Sequence, residues 1–184
     1  MFQIVNDLGM EIVLVLLKGK SHVREIARTT KQSPATVLRK LSNLSKNNIV
    51  DYKNEGKNNV YFIKNNLVAR QVVYRAENYK LIKLLHKYPQ LTVILDEVLK
   101  KTDEELIILF GSYAKFSAKE DSDIDIYIES KDNSIRQALK TSNSKINGKN
   151  GVFDKDSLLI KEIIKNHVII RGTEKFYEKI EIFK

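Results

Sequence analysis

A chain of 184 residues is long enough for one ordinary domain or two small ones, and a 42% hydrophobic share with mean hydropathy −0.32 supplies a core but no apolar run near the about 20 residues that cross a bilayer. The absence of cysteine excludes disulfides and thiolate metal sites, and the start, MFQIVNDLGM, lacks the basic region and cleavage site of a signal peptide, so a cytoplasmic protein with no membrane partner is expected. The formal charge of +9 is lopsided, with 18 Lys and Arg against 8 Asp and Glu in residues 1–101 and 14 against 15 in residues 102–184, which points the first half toward a polyanion unless it reflects only a lysine-rich proteome.

Residues 4–17 place Ile4, Leu8, Ile12 and Leu16 on one helical stripe, with Val5, Val13 and Val15 beside it, and Gly19 closes that helix. Ser21 is the predicted N-cap of a short second helix whose Val23, Ile26 and Ala27 face inward. A third helix opens at Ser33-Pro34, with Ser capping and Pro at the first helical position, where its missing N–H costs nothing. Val37, Leu38, Leu41 and Leu44 form its predicted buried face, leaving Gln32, Ser33, Thr36, Arg39, Lys40 and Asn43 outside. Two β-prone runs around Asn54-Glu55-Gly56-Lys57-Asn58 then read as a hairpin with a basic tip.

Three short helices followed by a hairpin resemble the winged helix-turn-helix family, a match in pattern over most of residues 1–63. In that family the third helix enters the major groove of double-stranded DNA by its N-terminal face. The resemblance therefore implies DNA contacts from Ser33, Thr36, Arg39 and Lys40, with Lys53 and Lys57 as wing contacts to the backbone. Two plainer readings stay open here: basic residues that only solvate a surface helix, and a winged helix that serves as a protein-interaction module.

Residues 64–88 carry no Gly or Pro and read as a long helix ended by Pro89, with another helix following. Apolar residues cover several of its faces, Val68, Val72, Ala76 and Tyr79 on one line and Tyr74, Leu81, Leu85 and Tyr88 on others. Such a helix needs more than one neighbour. Packing within the chain and a homodimer interface satisfy that need equally well. His86 reads as a surface residue.

Residues 105–110, ELIILF, read as a buried strand, and Gly111-Ser112 as the turn after it. In SDIDIYIE, residues 122–129, Asp123 and Asp125 alternate with Ile124, Ile126 and Ile128. On a strand the two carboxylates share one face, about 6–7 Å apart, and the isoleucines enter a core. Adjacent carboxylates repel unless a cation or proton lies between them. The backbone N–H groups of the preceding turn favour an anion such as phosphate.

Strand, Gly-Ser, ten residues, Asp-x-Asp is the pattern of the polymerase-β-like nucleotidyltransferase superfamily. The wording GSYAK…SDIDIYI resembles its minimal nucleotidyltransferase branch, found in archaea and bacteria, over roughly residues 103–184. The resemblance implies that Gly111 and Ser112 hold the triphosphate of an NTP. It also implies that Asp123 and Asp125, as catalytic residues, bind two Mg2+ ions that align an acceptor oxygen with the α-phosphate. Lys115 either assists the phosphates or is a solvated lysine. Members of this type can act as antitoxins, so a toxin-type protein partner is a further implication.

Two departures from the pattern stand out. Phe116 occupies the position after Ala-Lys where the family often has Gly, and the family's third carboxylate, on a later strand, has no evident counterpart. The next strand-like stretch, 144–147, holds no acid; beyond it Asn147-Gly148 and Asn150-Gly151 read as turns, with Asp154 and Asp156 after them. Leu158, Leu159, Ile163 and Ile164 suit a helix against the sheet, His167 reads as structural, and Gly172 precedes a last helix carrying Phe176, Tyr177 and Ile180.

The expected fold class is α/β in the broad sense (α+β). A winged helix-turn-helix spans 1–63, a helical connector 64–102, and a nucleotidyltransferase-like mixed sheet with helices 103–184. The expected function is a DNA-binding protein whose Mg2+-dependent second domain binds an NTP and transfers a nucleoside monophosphate to a protein or nucleic-acid hydroxyl. The alternative is a transcriptional regulator whose second domain only binds or senses the nucleotide.

Overall fold

In the computed structural model, which describes residues 7–183, the chain divides into two units, Met1–Tyr79 with Phe183–Lys184, and Lys80–Ile182. Among the described residues no helix is long and apolar enough to cross a membrane.

The first unit runs α1 (Leu8–Leu17), β1 (Ser21–His22), α2 (Val23–Thr30), α3 (Pro34–Lys46), β2 (Val50–Glu55), β3 (Asn58–Ile63) and the start of α4 (Leu67–Lys87). The Asp7 carboxylate caps α1 by accepting from Gly9 N–H at 2.8 Å, and Ile12, Val13 and Leu16 form its buried stripe. Ile4 and Val5 of the expected stripe lie outside the described residues. Ser33 caps α3 as expected, its Oγ accepting from Thr36 N–H at 3.1 Å. The strands order β1-β3-β2, all antiparallel. The hairpin turns on Gly56 at φ +62°, a positive φ at the first of two turn residues that a type II′ turn requires.

Three local expectations fail in this unit. Ser21 caps no helix, because Ser21 and His22 pair with Tyr61 and Val60 of β3; its buried hydroxyl donates instead to Glu25 Oε2 at 2.9 Å. Leu38 is 50% exposed: the buried line on α3 is Val37, Leu41 and Leu44, and Leu38 sits about 100° round the helix from Val37. On α4 the buried line is Ala69, Val73 and Ala76, which leaves Val68, one position ahead of it, exposed.

The second unit continues α4 and adds α5 (Gln90–Lys101), β4 (Ile107–Leu109), α6 (Gly111–Ala114), β5 (Ile124–Glu129), α7 (Ser134–Ser142), β6 (Ile146–Gly151), α8 (Leu158–Lys165), β7 (Val168–Arg171) and α9 (Thr173–Ile180). Its sheet orders β6-β5-β4-β7, mixed because β5 and β6 are parallel while β4 is antiparallel to both its neighbours. Ile124, Ile126 and Ile128 enter a core with Leu84, Leu91, Leu95 and Val98 of the helices, as the alternation predicted. On the opposite side Tyr127 meets Phe153 edge-on, and Phe153 meets Phe176. The Arg171 guanidinium ties β7 to the end of α5, donating to the carbonyls of Leu99, Thr102 and Glu104.

Two expectations fail here. Asn147-Gly148 and Asn150-Gly151 are not turns; all four lie in β6. Pairing with β5 overrides their turn propensity, and Gly148 fits because a β-carbon there would come within 3.2 Å of Leu139 on α7. Leu158 is 87% exposed, since α8 buries Ile160 and Ile163 instead.

Candidate functional site

The second unit's site forms where β4 ends and β5 begins. Phe110 N–H donates to the Asp125 carbonyl at 2.9 Å, so the chain leaving β4 is clamped to β5. It then turns at Gly111, whose φ is +70°. A β-carbon at Gly111 would lie 2.1 Å from Asp125 Oδ2. Only glycine fits this conformation and this approach together. The N–H groups of Gly111 and Ser112 start α6 and so have no carbonyl one turn behind them.

Asp123 is exposed and sits just ahead of β5, whereas Asp125 lies on the strand and is half-buried. Asp125 has a defined partner: in the parallel register it faces Asn147, whose Nδ2 donates to Asp125 Oδ1 at 2.8 Å. The carboxylate is thus bounded on one oxygen by the Asn147 amide and on the other by the Gly111 backbone. Asp154 is exposed and accepts from Asp156 N–H at 2.9 Å in the turn before α8. Among the described residues no third carboxylate, histidine or cysteine gathers with Asp123 and Asp125.

Lys115 is bound to Glu162 Oε1 at 2.7 Å, and this hydrogen-bonded ammonium holds the Glu162 carboxyl below the usual range. Phe116, where glycine was expected, adopts φ +57° itself. Its carbonyl accepts from the Lys87 ammonium and its ring packs on the core, so the bend is kept without glycine. His167 Nδ1 lies 3.0 Å from the Ile163 carbonyl and its ring packs against Phe176, a structural setting.

In the first unit, Ser33 and Thr36 hydroxyls are 2.8 Å apart at the start of α3, and Arg39 is exposed. Lys40 lies toward α1, with Nζ 3.8 Å from Asp7 Oδ1. Lys53 and Lys57 are exposed on the wing, and Lys53 Nζ stands 5.8 Å from the Phe62 ring centroid. Sequence reasoning missed a groove of about 740 Å³ where α2, α3 and the wing converge. His22, Arg24, Arg28, Leu38, Asn58 and Asn59 are among its lining residues. Arg24 and Arg28, one turn apart on α2, were the legible signal for it.

Comparison with known proteins yields two family matches, a nucleotidyltransferase domain over residues 91–182 and a bacterial regulatory protein of the arsR family over residues 10–52. Among solved structures the chain is similar to a homodimeric winged helix-turn-helix DNA-binding domain from Mycobacterium bovis, described as a possible ArsR-family transcriptional regulator. That match has 24% identity, covers 54% of this chain and 77% of the other, and has a TM-score of 0.34. Comparison with curated proteins found no match.

Proposed function

Since the chain belongs to the nucleotidyltransferase domain family over residues 91–182 and carries an ArsR-type helix-turn-helix over residues 10–52, we propose that it is a DNA-binding regulator whose second unit binds an NTP together with Mg2+. The observation that carries the nucleotide reading is the contact of Gly111 with Asp125, which holds a phosphate-type turn against a carboxylate. Asp123 and Asp125 offer hard oxygen donors, and Mg2+ is commonly held by one or two carboxylates plus substrate phosphates. The donor set therefore fits an ion that arrives with the triphosphate. When bound, the ion would neutralise phosphate charge and polarise a phosphoryl oxygen. Gly111 and Ser112 orient the phosphates by their N–H groups, and Asn147 fixes the rotamer of Asp125.

On the first unit, DNA phosphates are met by Arg24 and Arg28 along the groove and by Lys53 and Lys57 on the wing. Ser33, Thr36 and Arg39 of α3 face the bases, and Lys40 contributes less because Asp7 already draws it. A second reading, transfer of a nucleoside monophosphate to a hydroxyl, draws on the family match over residues 91–182 and on the two carboxylates of the Asp123-Ile124-Asp125 segment.

The test is isothermal titration of the full chain with ATP, CTP, GTP and UTP, with and without Mg2+. At least one NTP should bind only with Mg2+, and Asp123→Ala with Asp125→Ala should abolish the heat. No Mg2+-dependent binding to the unsubstituted chain would overturn the reading.

A further inference from the structure

Asn147 is the residue of this site that pattern alone does not explain. It stands on β6 in register with Asp125, half-buried, and its Nδ2 donates to Asp125 Oδ1 at 2.8 Å. The other oxygen, Oδ2, lies over Gly111, where no β-carbon would fit. Asp125 is therefore held from both sides, and one of its about four lone-pair positions is committed to an amide donor. Asn147 is neutral. It supports Asp125 without adding negative charge, in a place where β6 brings a side chain beside that carboxylate.

That distinction decides how many divalent ions the site holds. Two ions in one phosphoryl site sit about 3.5–4 Å apart and repel strongly at that distance. They need bridging carboxylates and further negative charge around them. Asp123 and Asp125 supply two carboxylates, and no third His, Cys, Asp or Glu gathers with them among the described residues.

We infer that Asn147 is a positioning residue that restricts this site to one divalent ion, so that the second unit retains a nucleotide rather than consuming it. This rests on the Mg2+–NTP reading above and deepens it: the bound nucleotide is an effector of the DNA-binding protein. Loss of a side chain that orients a metal-binding carboxylate commonly weakens metal affinity by about 10–100-fold. Asn147→Ala should therefore weaken the single ion without changing its number, and Asn147→Asp should admit a second.

The experiment uses the full chain with Mn2+ as the probe, titrated in saturating ATP, CTP, GTP or UTP and followed by electron paramagnetic resonance of free Mn2+. Thermal unfolding of each variant is recorded alongside. The unsubstituted chain should take up one nucleotide-dependent Mn2+, Asn147→Ala one with at least about tenfold weaker affinity, and Asn147→Asp two. Two ions in the unsubstituted chain, or one ion in a folded Asn147→Asp variant, would overturn the inference while leaving the nucleotide reading intact. So would unchanged Mn2+ affinity in Asn147→Ala, which decides the matter if Asn147→Asp does not fold. No nucleotide-dependent Mn2+ in any form would overturn both.

Discussion

Gly111→Ala puts the most weight on the site geometry. Two costs arise together. The first is conformational: at φ +70° an alanine enters the left-handed region, at roughly 1–2 kcal/mol. The second is steric, since the new β-carbon would lie 2.1 Å from Asp125 Oδ2, where contact at about 3.5 Å is the comfortable limit. The carboxylate must swing away by more than about 1 Å. It then strains the 2.8 Å bond from Asn147, and hydrogen bonds to charged groups contribute about 1.5–3 kcal/mol. Partial exposure lets water replace some of that, so the total is about 2–4 kcal/mol. Gly56→Ala serves as a comparison that carries a positive-φ cost without the steric one, because Gly56 has φ +62° and nothing within 4 Å of its would-be β-carbon. Urea unfolding should show Gly111→Ala losing at least about 1 kcal/mol more than Gly56→Ala. Mg2+-dependent NTP binding should fall by more than about tenfold, the equivalent of about 1.4 kcal/mol. Equal losses in the two variants, with nucleotide binding unchanged in Gly111→Ala, would refute the idea that the turn is wedged against Asp125.

Two further outcomes test the remaining features. Each DNA phosphate neutralised contributes about 0.9 to the slope of log affinity against log salt, so Arg24→Ala with Arg28→Ala should flatten the slope measured by fluorescence anisotropy by about 1.8. Lys40→Ala should change it less, and an unchanged slope in the double variant would remove the groove from the DNA surface. Burial pushes the phenols of Tyr79 and Tyr127 above the ordinary value of 10.0, aided by Glu11 for Tyr79 and Glu129 for Tyr127. Because these folded-state values are raised, their contribution to stability is complete below pH 10 and is lost as pH rises beyond it. Phenolate absorbance should then show Tyr79 and Tyr127 ionising late in the folded chain, an amplitude that Tyr79→Phe with Tyr127→Phe removes, and ionisation of all eight tyrosines near the ordinary pH would refute it.

The features most legible in the sequence were those fixed by short-range chemistry. Ser33-Pro34 declared the start of α3 because a cap and a first-turn proline act within one turn. Asp125 and its isoleucine neighbours declared β5 because alternation is local. The failures share a different cause. Ser21 reads as a cap until β3 pairs with it across 40 residues, and the two Asn-Gly pairs read as turns until β5 supplies a parallel partner. Register between parallel strands leaves no mark in either strand alone, so the meeting of Asn147 with Asp125 was out of reach. Leu38 and Leu158 failed more simply: Leu38 lies about 100° round α3 from Val37, Leu158 lies on the side of α8 away from Ile160 and Ile163, and hydrophobicity alone does not report such a rotation.

On the proposed function the two units would meet phosphate in opposite electrostatic ways, and this bears on how one chain would couple them. Arg24, Arg28 and Arg39 would attract phosphate directly, so in the first unit any added cation, Mg2+ included, would compete with the protein for the polyanion. Asp123 and Asp125 repel it. At about 4 Å a carboxylate and a phosphate charge oppose each other by about 1 kcal/mol in water and about 4 kcal/mol near a protein surface. Two carboxylates facing a triphosphate multiply that penalty, and two N–H groups from a four-residue helix do not offset it. Metal-free NTP should therefore be excluded from the second unit, and free nucleotide in the absence of a divalent ion should act, if anywhere, on the basic groove. Coupling between nucleotide and DNA then has a definite chemical form. On the proposed function, the ligand that the second unit would accept is the metal complex, whose reduced charge would make it the weaker competitor for the arginines of the first.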